Sequence, residues 1–234
     1  MQLRFLCLTL LLVLSSSFTV PTYLESHNEL IARNSEKSAI VLLYEIFVEA
    51  NNSMPQLESF TEAVQGYEKL KSQGKIKNET LTIIDFSLSS KAKRLWVLDM
   101  TTNKVLFNTV VAHGRNTGVE FATKFSNTNN SNQSSLGFYI TDTTYHGKNG
   151  LSMFLNGQER GINDNARKRY VVFHGAKYAN PDFVKRHGRL GRSLGCPAVP
   201  TAFNAAIIAK IKDKSCLFIY HPNKKYHASS QLLA

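Results

Sequence analysis

The sequence is poor in cysteine, tryptophan and acid. Three cysteines in 234 residues are too few for a disulfide framework. Only 6 prolines and 13 glycines are present, which excludes collagen-like and proline-rich extended chains. Long hydrophobic runs are also scarce. The longest covers residues 5–14, and ten residues are too few to cross a bilayer securely, which excludes a polytopic membrane protein. Acidic residues number 17 against 28 basic ones, giving a formal net charge of +11. What remains is ordinary for a folded chain: 43% hydrophobic and 19% charged, enough to build a core and too apolar for disorder. At about 150 residues per domain, the length suits one large domain, with or without an appendage.

The N-terminus reads as an export signal. Arg4 precedes the apolar run, and Ser15, Ser16 and Ser17 follow it, small residues of the kind a signal peptidase accepts. Cleavage is expected near Ser17, leaving no transmembrane span. An uncleaved anchor is the alternative. Cys7 lies inside the apolar run, so it is not read as a lipidation site. Cys216 lies in an apolar β run and reads as a buried small hydrophobe.

The rest divides into a helical front and a β-rich body. Ala39, Leu42, Leu43, Ile46, Phe47 and Ala50 recur at helical spacing within residues 26–50. A second helix is expected over 53–72, capped by Ser53, with Pro55 in its first turn. Leu57, Phe60, Val64, Tyr67 and Leu70 make its apolar stripe, and Gly74 ends it. Strands are expected at 81–86, at 94–100 and 105–112 as a hairpin, at 137–142, 152–155 and 170–173, and at 216–220, where the last closes the sheet. One late helix covers 201–212. The fold class is mainly β (α+β), with a signal at 1–17, a helical segment at 18–78, a β-rich body at 79–222 and a tail at 223–234.

The chemistry concentrates in one segment. His174-Gly175 follows a strand, and seventeen residues later comes Ser193-Leu194-Gly195-Cys196-Pro197, a tight turn just ahead of a helix. A thiol is a weak nucleophile until deprotonated, and a neighbouring imidazole does that. Gly195 lets the backbone bend so that amide N–H groups around 195 and 196 can face a developing oxyanion. Ser193 either closes the turn or orients the imidazole. The bland reading of Cys196 is a small residue in a turn, and that of His174 a structural histidine. No metal is expected, because His and Cys do not fall at short ligand spacings such as CxxC or HExxH.

HG-x17-S-x-G-C resembles the active-site pattern of the YkuD-like L,D-transpeptidases that act on peptidoglycan. The likeness continues through Val111-Ala112-His113-Gly114, Phe125-Ser126-Asn127, residues 134–139, residues 161–166 and residues 191–198. Over roughly residues 80–222 the chain is similar to the murein L,D-transpeptidase catalytic domain family. The resemblance implies a β-sandwich catalytic domain, with Cys196 as nucleophile and His174 as its base. Gly195, Ser193 and Gly175 would shape the oxyanion and orienting groups. Arg192, His113, Tyr145 and Asn163 are candidate contacts to the stem peptide, with His146 and Asn165 as further cleft candidates. The family usually has His between Ser and Gly and Arg two residues after Cys; here those positions are Leu194 and Ala198. Arg192 is the candidate replacement for the missing guanidinium.

The resemblance further implies attack on the third stem residue, release of D-alanine, a thioester, and transfer to an amine without any cofactor. Two rivals stand beside it. One is an L,D-carboxypeptidase or amidase that hydrolyses the same bond type. The other is a non-catalytic wall-binding module in which Cys196 is structural. The partner expected in each case is peptidoglycan, in the periplasm or cell envelope. A nucleic-acid partner is not expected. Lys and Arg are scattered, with only a loose group at Lys185, Arg186, Arg189 and Arg192, and no nucleic-acid recognition motif is visible.

Overall fold

The computed structural model describes residues 22–234, so the proposed signal at 1–17 lies outside the described residues. The chain divides into two compact units, and Ala39–Ala234 is the unit that carries the fold. Helix α1 (Thr22–Ala50) contributes its C-terminal part to that unit. The buried face there is Ile40, Leu43, Tyr44 and Phe47, spaced i, i+3, i+4, i+7. Leu42 and Ile46, expected on that face, point outward; Leu42 is 60% exposed. Helix α2 (Leu57–Ser72) starts four residues later than expected, with Gln56 rather than Ser53 at its N-cap. The Ser53 hydroxyl is engaged with Asn108 and the Trp96 indole, so it caps nothing. Phe60, Val64, Tyr67 and Leu70 are buried as expected, Leu57 is not, and Gly74 ends the helix at φ +68°.

Among the described residues, eight strands form one mixed sheet: β1 (Thr80–Asp85), β2 (Leu95–Asp99), β3 (Lys104–Thr109), β4 (Gly137–Gly147), β5 (Gly150–Gly157), β6 (Val172–Gly175), β7 (Ala198–Val199) and β8 (Cys216–Tyr220). Their order is β3-β2-β1-β8-β4-β5-β6-β7. The β1–β8 and β6–β7 pairs are parallel and the others antiparallel. β8 therefore lies in the middle of the sheet, not at its end. Every residue of β1 and β8 is buried, the mark of strands covered on both faces. Helix α2 packs on β1 and β8, coming so close that a β-carbon at Gly66 would stand 2.1 Å from the Phe138 ring. Phe138 pairs with Phe218 across β4–β8, and their rings stack at 4.2 Å.

The two ends of the sheet meet. Beyond β3 the chain runs on to Ala112, whose N–H donates to Ala198 C=O at 2.8 Å, and Ala198 N–H returns a 3.3 Å bond to Ala112 C=O. The sheet thus curls into a near-barrel with its seam at β7. A small second core of Val110, Ala112, Ala176, Ala179, Leu190 and Ala198 fills the space behind that seam. Under the seam lies Arg94, fully buried. Its Nε and Nη2 donate to Val111 C=O at 3.1 and 2.9 Å, and Nη1 donates to Leu88 C=O at 2.8 Å. The guanidinium carbon sits 4.7 Å from the Phe86 ring centre.

Three helices complete the fold: α3 (Pro181–His187), α4 (Thr201–Ile211) and α5 (Lys224–Ser229). Helix α4 packs on β6, β5 and β1. Gly175 makes this contact possible, since a β-carbon there would lie 2.9 Å from Asn204 Cβ. Residues 223–234 pack firmly: Tyr226 and Leu232 are buried, and the hydroxyls of Tyr226 and Ser230 donate to Glu159, which is itself buried.

Candidate active site

The nucleophile turn is built on the seam. Ser193 N–H donates to His113 C=O at 2.9 Å, and Arg115 N–H donates to Ser193 C=O at 2.8 Å, so residues 113–115 grip the start of the turn. The Ser193 hydroxyl then donates to Cys196 C=O at 2.6 Å and accepts from Gly195 N–H at 3.0 Å. Ser193 is a turn builder and not an imidazole-orienting group. The same bond engages Gly195 N–H inside the turn, so that amide does not face an oxyanion as expected. Gly195 sits at φ +129°, where a β-carbon would meet Gln133 C=O at 2.8 Å. Ser134 Oγ fixes the outer side by donating to Gly195 C=O at 3.0 Å.

Strand β6 presents the imidazole. It begins at Val172, two residues later than expected, and includes His174-Gly175. Tyr170 lies ahead of it in the left-handed region at φ +54° and does not extend the strand. His174 pairs with Ala198 of β7 and Ser152 of β5, and is almost wholly buried. Its Nδ1 lies 3.0 Å from Gly175 C=O. A carbonyl only accepts, so Nδ1 carries the proton and Nε2 keeps a free lone pair. Burial lowers the His174 pKa below the ordinary histidine value, against a raising effect of the Gly175 carbonyl. The ring is neutral near pH 7. The Tyr178 ring meets it edge-on, with centres 6.5 Å apart.

Cys196 is a free cysteine that keeps partial solvent access. Val172 N–H donates to its Sγ at 3.4 Å, and Sγ lies 3.5 Å from Tyr170 C=O. The sulfur is thus held against the start of β6, two residues back along the strand from His174. Burial pushes the thiol pKa up, while the Val172 amide and the Arg169 guanidinium pull it down. At rest Cys196 is a thiol, and the neutral His174 imidazole, two residues along β6 from the Val172 amide that holds the sulfur, keeps Nε2 able to accept a proton. Cys216 is fully buried in β8, as expected for a small hydrophobe.

The other expected residues are distributed differently. His113 is buried at the seam rather than lining a cleft. Its Nδ1 lies 2.8 Å from Arg94 Nη2 and its Nε2 lies 3.3 Å from Gly118 C=O. Arg94 can only donate, so Nδ1 accepts and Nε2 carries the proton. Burial first, then the Arg94 charge, lowers the His113 pKa to about 4. Asn163 is fully buried: its amide donates to Leu136 and Phe138 C=O at 2.9 and 3.0 Å, and its Oδ1 accepts from Glu159 N–H at 2.9 Å. Its hydrogen-bonding capacity is used inside the fold, which removes it from the substrate contacts. Arg192 Nη1 donates to Arg115 and Gly118 C=O, each at 3.2 Å. Tyr145 lies on β4 opposite Ser152, which in turn pairs with His174, while His146 on the same strand and Asn165 in the turn before β6 are exposed. The Tyr145 ring stacks on Phe154 at 4.8 Å.

Sequence reasoning noted Leu194 only as a departure from the family pattern and missed other neighbours of the thiol. Leu194 is 64% exposed at the tip of the turn, and Tyr170 is 70% exposed beside it. Arg169 and Tyr178 both lie close enough for the sulfur to influence their ionisation. The signal available was the cluster Arg167-Lys168-Arg169-Tyr170 immediately before the strand, which reads as ordinary surface charge until the turn is seen. Among the described residues, no group of three or more His, Cys, Asp or Glu is arranged to hold a metal, and no helix is long and apolar enough to cross a membrane.

A closed mixed sheet with an accessible thiol and a buried neutral imidazole at its seam defines a class of cysteine-dependent enzymes. Within that class, the sequence profile of the L,D-transpeptidase catalytic domain matches residues 51–220, and the chain belongs to that family. Among solved structures it is similar to an L,D-transpeptidase from Mycobacterium smegmatis (13% identity, TM-score 0.37, covering 61% of this chain and 59% of that one). It is also similar to an L,D-transpeptidase from Stackebrandtia nassauensis (13% identity, TM-score 0.37, 70% and 67%). A third is the helical cell shape determining protein Pgp2 from Campylobacter jejuni (11% identity, TM-score 0.41, 72% and 62%). The chain spans about three fifths of the first and last of these. No curated protein matches it.

Proposed function

We propose that the protein is a peptidoglycan L,D-transpeptidase in which Cys196 is the nucleophile and His174 its general base. The observation that carries this reading is the pairing of a thiol held against β6 with an imidazole on the same strand whose Nδ1–H is fixed by Gly175 C=O, leaving Nε2 free. Sγ attacks the carbonyl of the third stem residue as its proton passes to His174 Nε2. The S–C bond forms, the C–N bond to D-alanine breaks, and the proton goes to the departing amine. An acceptor amine then attacks the thioester, gives its proton to His174 and restores the thiol. No redox step and no cofactor is involved. With Gly195 N–H engaged by Ser193, stabilisation of the oxyanion falls to other donors at the mouth of the turn.

Tyr145 and the exposed Leu194 are the side chains proposed to meet the stem peptide. The net charge of +11 suits a substrate rich in carboxylates. The apolar run at 5–14 supports action outside the cytoplasm, and residues 79–222 form the proposed catalytic domain. The helical front finishes its core, a role supported by the approach of Gly66 to Phe138.

The test is intact-mass analysis after incubation with tetrapeptide muropeptides, beside Cys196→Ala. An adduct of the donor minus D-alanine, absent from the variant, is expected. Its absence in folded protein with a titratable thiol overturns the assignment. Cross-linked products mark transfer, and tripeptides mark hydrolysis.

A further inference from the structure

The turn that leads into β6 does more than connect β5 to it. Bonds from Ala166 N–H to Asn163 C=O, Arg169 N–H to Asn165 C=O and Val171 N–H to Ala166 C=O wind residues 163–171 tightly. The end of this turn supplies both backbone contacts to the sulfur, from Tyr170 C=O and Val172 N–H. Arg169 immediately precedes them. Its Nη1 donates to Ser126 C=O at 2.7 Å and Ser135 Oγ at 2.6 Å. Its Nη2 donates to Gln133 C=O at 2.6 Å and Ser131 Oγ at 3.1 Å. The guanidinium therefore stitches the loop 126–135 to the nucleophile side of the sheet. Nη2 reaches the turn itself, since a β-carbon at Gly195 would lie 3.5 Å from it.

All four acceptors are neutral, two carbonyls and two hydroxyls. Among the described residues no acceptor of Arg169 is a carboxylate, and the acids that act on it electrostatically are Tyr139 and Cys196. A half-buried cation without a counter-charge is costly, so its position beside a reactive thiol calls for a reason. The nucleophile turn provides no competing cation, because the Arg192 guanidinium is turned back onto the Arg115 and Gly118 carbonyls. Tyr178, on the turn that follows β6, is a further titratable group that the sulfur influences, and its ring meets that of His174 edge-on.

We infer that Arg169 is the counter-cation of the Cys196 thiolate: a positioning residue that backs the Ser193–Pro197 turn through Gly195 and presents its uncompensated charge to Sγ when the thiol ionises. Ionisation takes the thiol from neutral to −1 while the guanidinium stays +1, so the pair becomes neutral. Burial works against the thiolate, and Arg169 with the Val172 amide offsets it. This assignment rests on Cys196 as the reactive thiol but not on the identity of the donor.

The test reads the thiol directly. The rate of iodoacetamide alkylation of Cys196 is followed from pH 5 to 10, with the modified peptide mapped by mass; Cys216 is buried and does not interfere. Arg169→Gln is expected to raise the apparent Cys196 pKa by about one unit, slowing alkylation at pH 7 about tenfold. Arg169→Lys is expected to keep most of the wild-type value. Ser131→Ala and Ser135→Ala, which remove loop bonds and retain the charge, are expected to leave the pKa in place. Equal shifts for Arg169→Gln and the two serine variants, or no shift for Arg169→Gln, overturn the inference. If Arg169→Gln does not fold, the lysine variant decides: a thiol pKa about one unit or more above that of the wild type overturns the pairing. A normal alkylation shift with no acyl adduct would leave the pairing intact and reject the transpeptidase reading.

Discussion

At Ser193 one hydroxyl closes a turn from both sides, and that geometry makes its role separable from that of His174. Ser193→Ala removes both bonds and leaves Gly195 N–H and Cys196 C=O without partners, at a cost of about 1–3 kcal/mol in stability. It is expected to slow acylation without moving the pH profile, and Ser193→Thr is expected to recover most of the loss. A shift in the pH profile of the alanine variant would instead assign Ser193 to the imidazole. The acid limb of that profile belongs to His174. Because burial holds its pKa below the ordinary value of about 6.5, the base is still neutral there, and the fall in kcat/KM toward acid is expected below about pH 6.5. His174→Asn is expected to lose about 10²–10⁴ in acylation rate and the acid limb with it. The proposed pair, Cys196 and His174, can be picked out of the sequence because each sits in a contiguous motif whose chemistry needs only those residue types. Arg169 cannot, because its relation to the thiol arises only when the 163–171 turn closes. His113 and Asn163 misled for the opposite reason: a polar residue in a distinctive motif looks the same in sequence whether it meets substrate or satisfies buried carbonyls.

At the scale of elements, helix periodicity located α1 and α2 but not all of their faces. Between Ala39 and Ala50, apolar residues are so dense that more than one stripe fits, and only packing selects Ile40, Leu43, Tyr44 and Phe47. Phe47→Ala is therefore expected to destabilise the protein by about 3–5 kcal/mol. Leu42→Ala is expected to change it by no more than about 0.5 kcal/mol. Chemical denaturation checks both, and the reverse ranking would place the other face inward. Gly66 reports the next layer. With Phe138 2.1 Å from any β-carbon, Gly66→Ala forces helix and ring apart. Overpacking of this kind costs about 1–3 kcal/mol, even though alanine is the better helix former. The strands were legible by composition, and the hairpin of β2 and β3 by its turn. Strand order was not: the central place of β8 depends on long-range parallel pairing with β1, which no local pattern encodes.

For the molecule as a whole, the decisive feature is the seam, where the β3 extension meets β7 and places the nucleophile turn. Arg94 and His113 are buried beneath it, and their bond requires a neutral ring accepting at Nδ1. Folded His113 takes up a proton only near pH 4, whereas an unfolded histidine does so near 6.5. Between these values the unfolded chain binds more protons, so the contribution of His113 is present in full above about pH 6.5 and declines as pH falls toward 4, by up to about 3 kcal/mol. Glu62 works in the opposite direction. Its burial in α2 raises its pKa to about 8, so its contribution falls as pH rises from the ordinary carboxylate range toward 8. Total stability therefore hides both terms, and the difference between wild type and variant reveals each. Wild type minus His113→Gln, measured by denaturant unfolding at pH 4.5, 5.5 and 7, is expected to grow with pH and level off near neutrality. A flat difference would mean that His113 is not held neutral by the seam. The same protonation should loosen the grip of residues 113–115 on Ser193, so acylation and stability are expected to fail together in acid. Loss of stability below pH 5 with an intact acylation rate per folded molecule would separate the seam from the site.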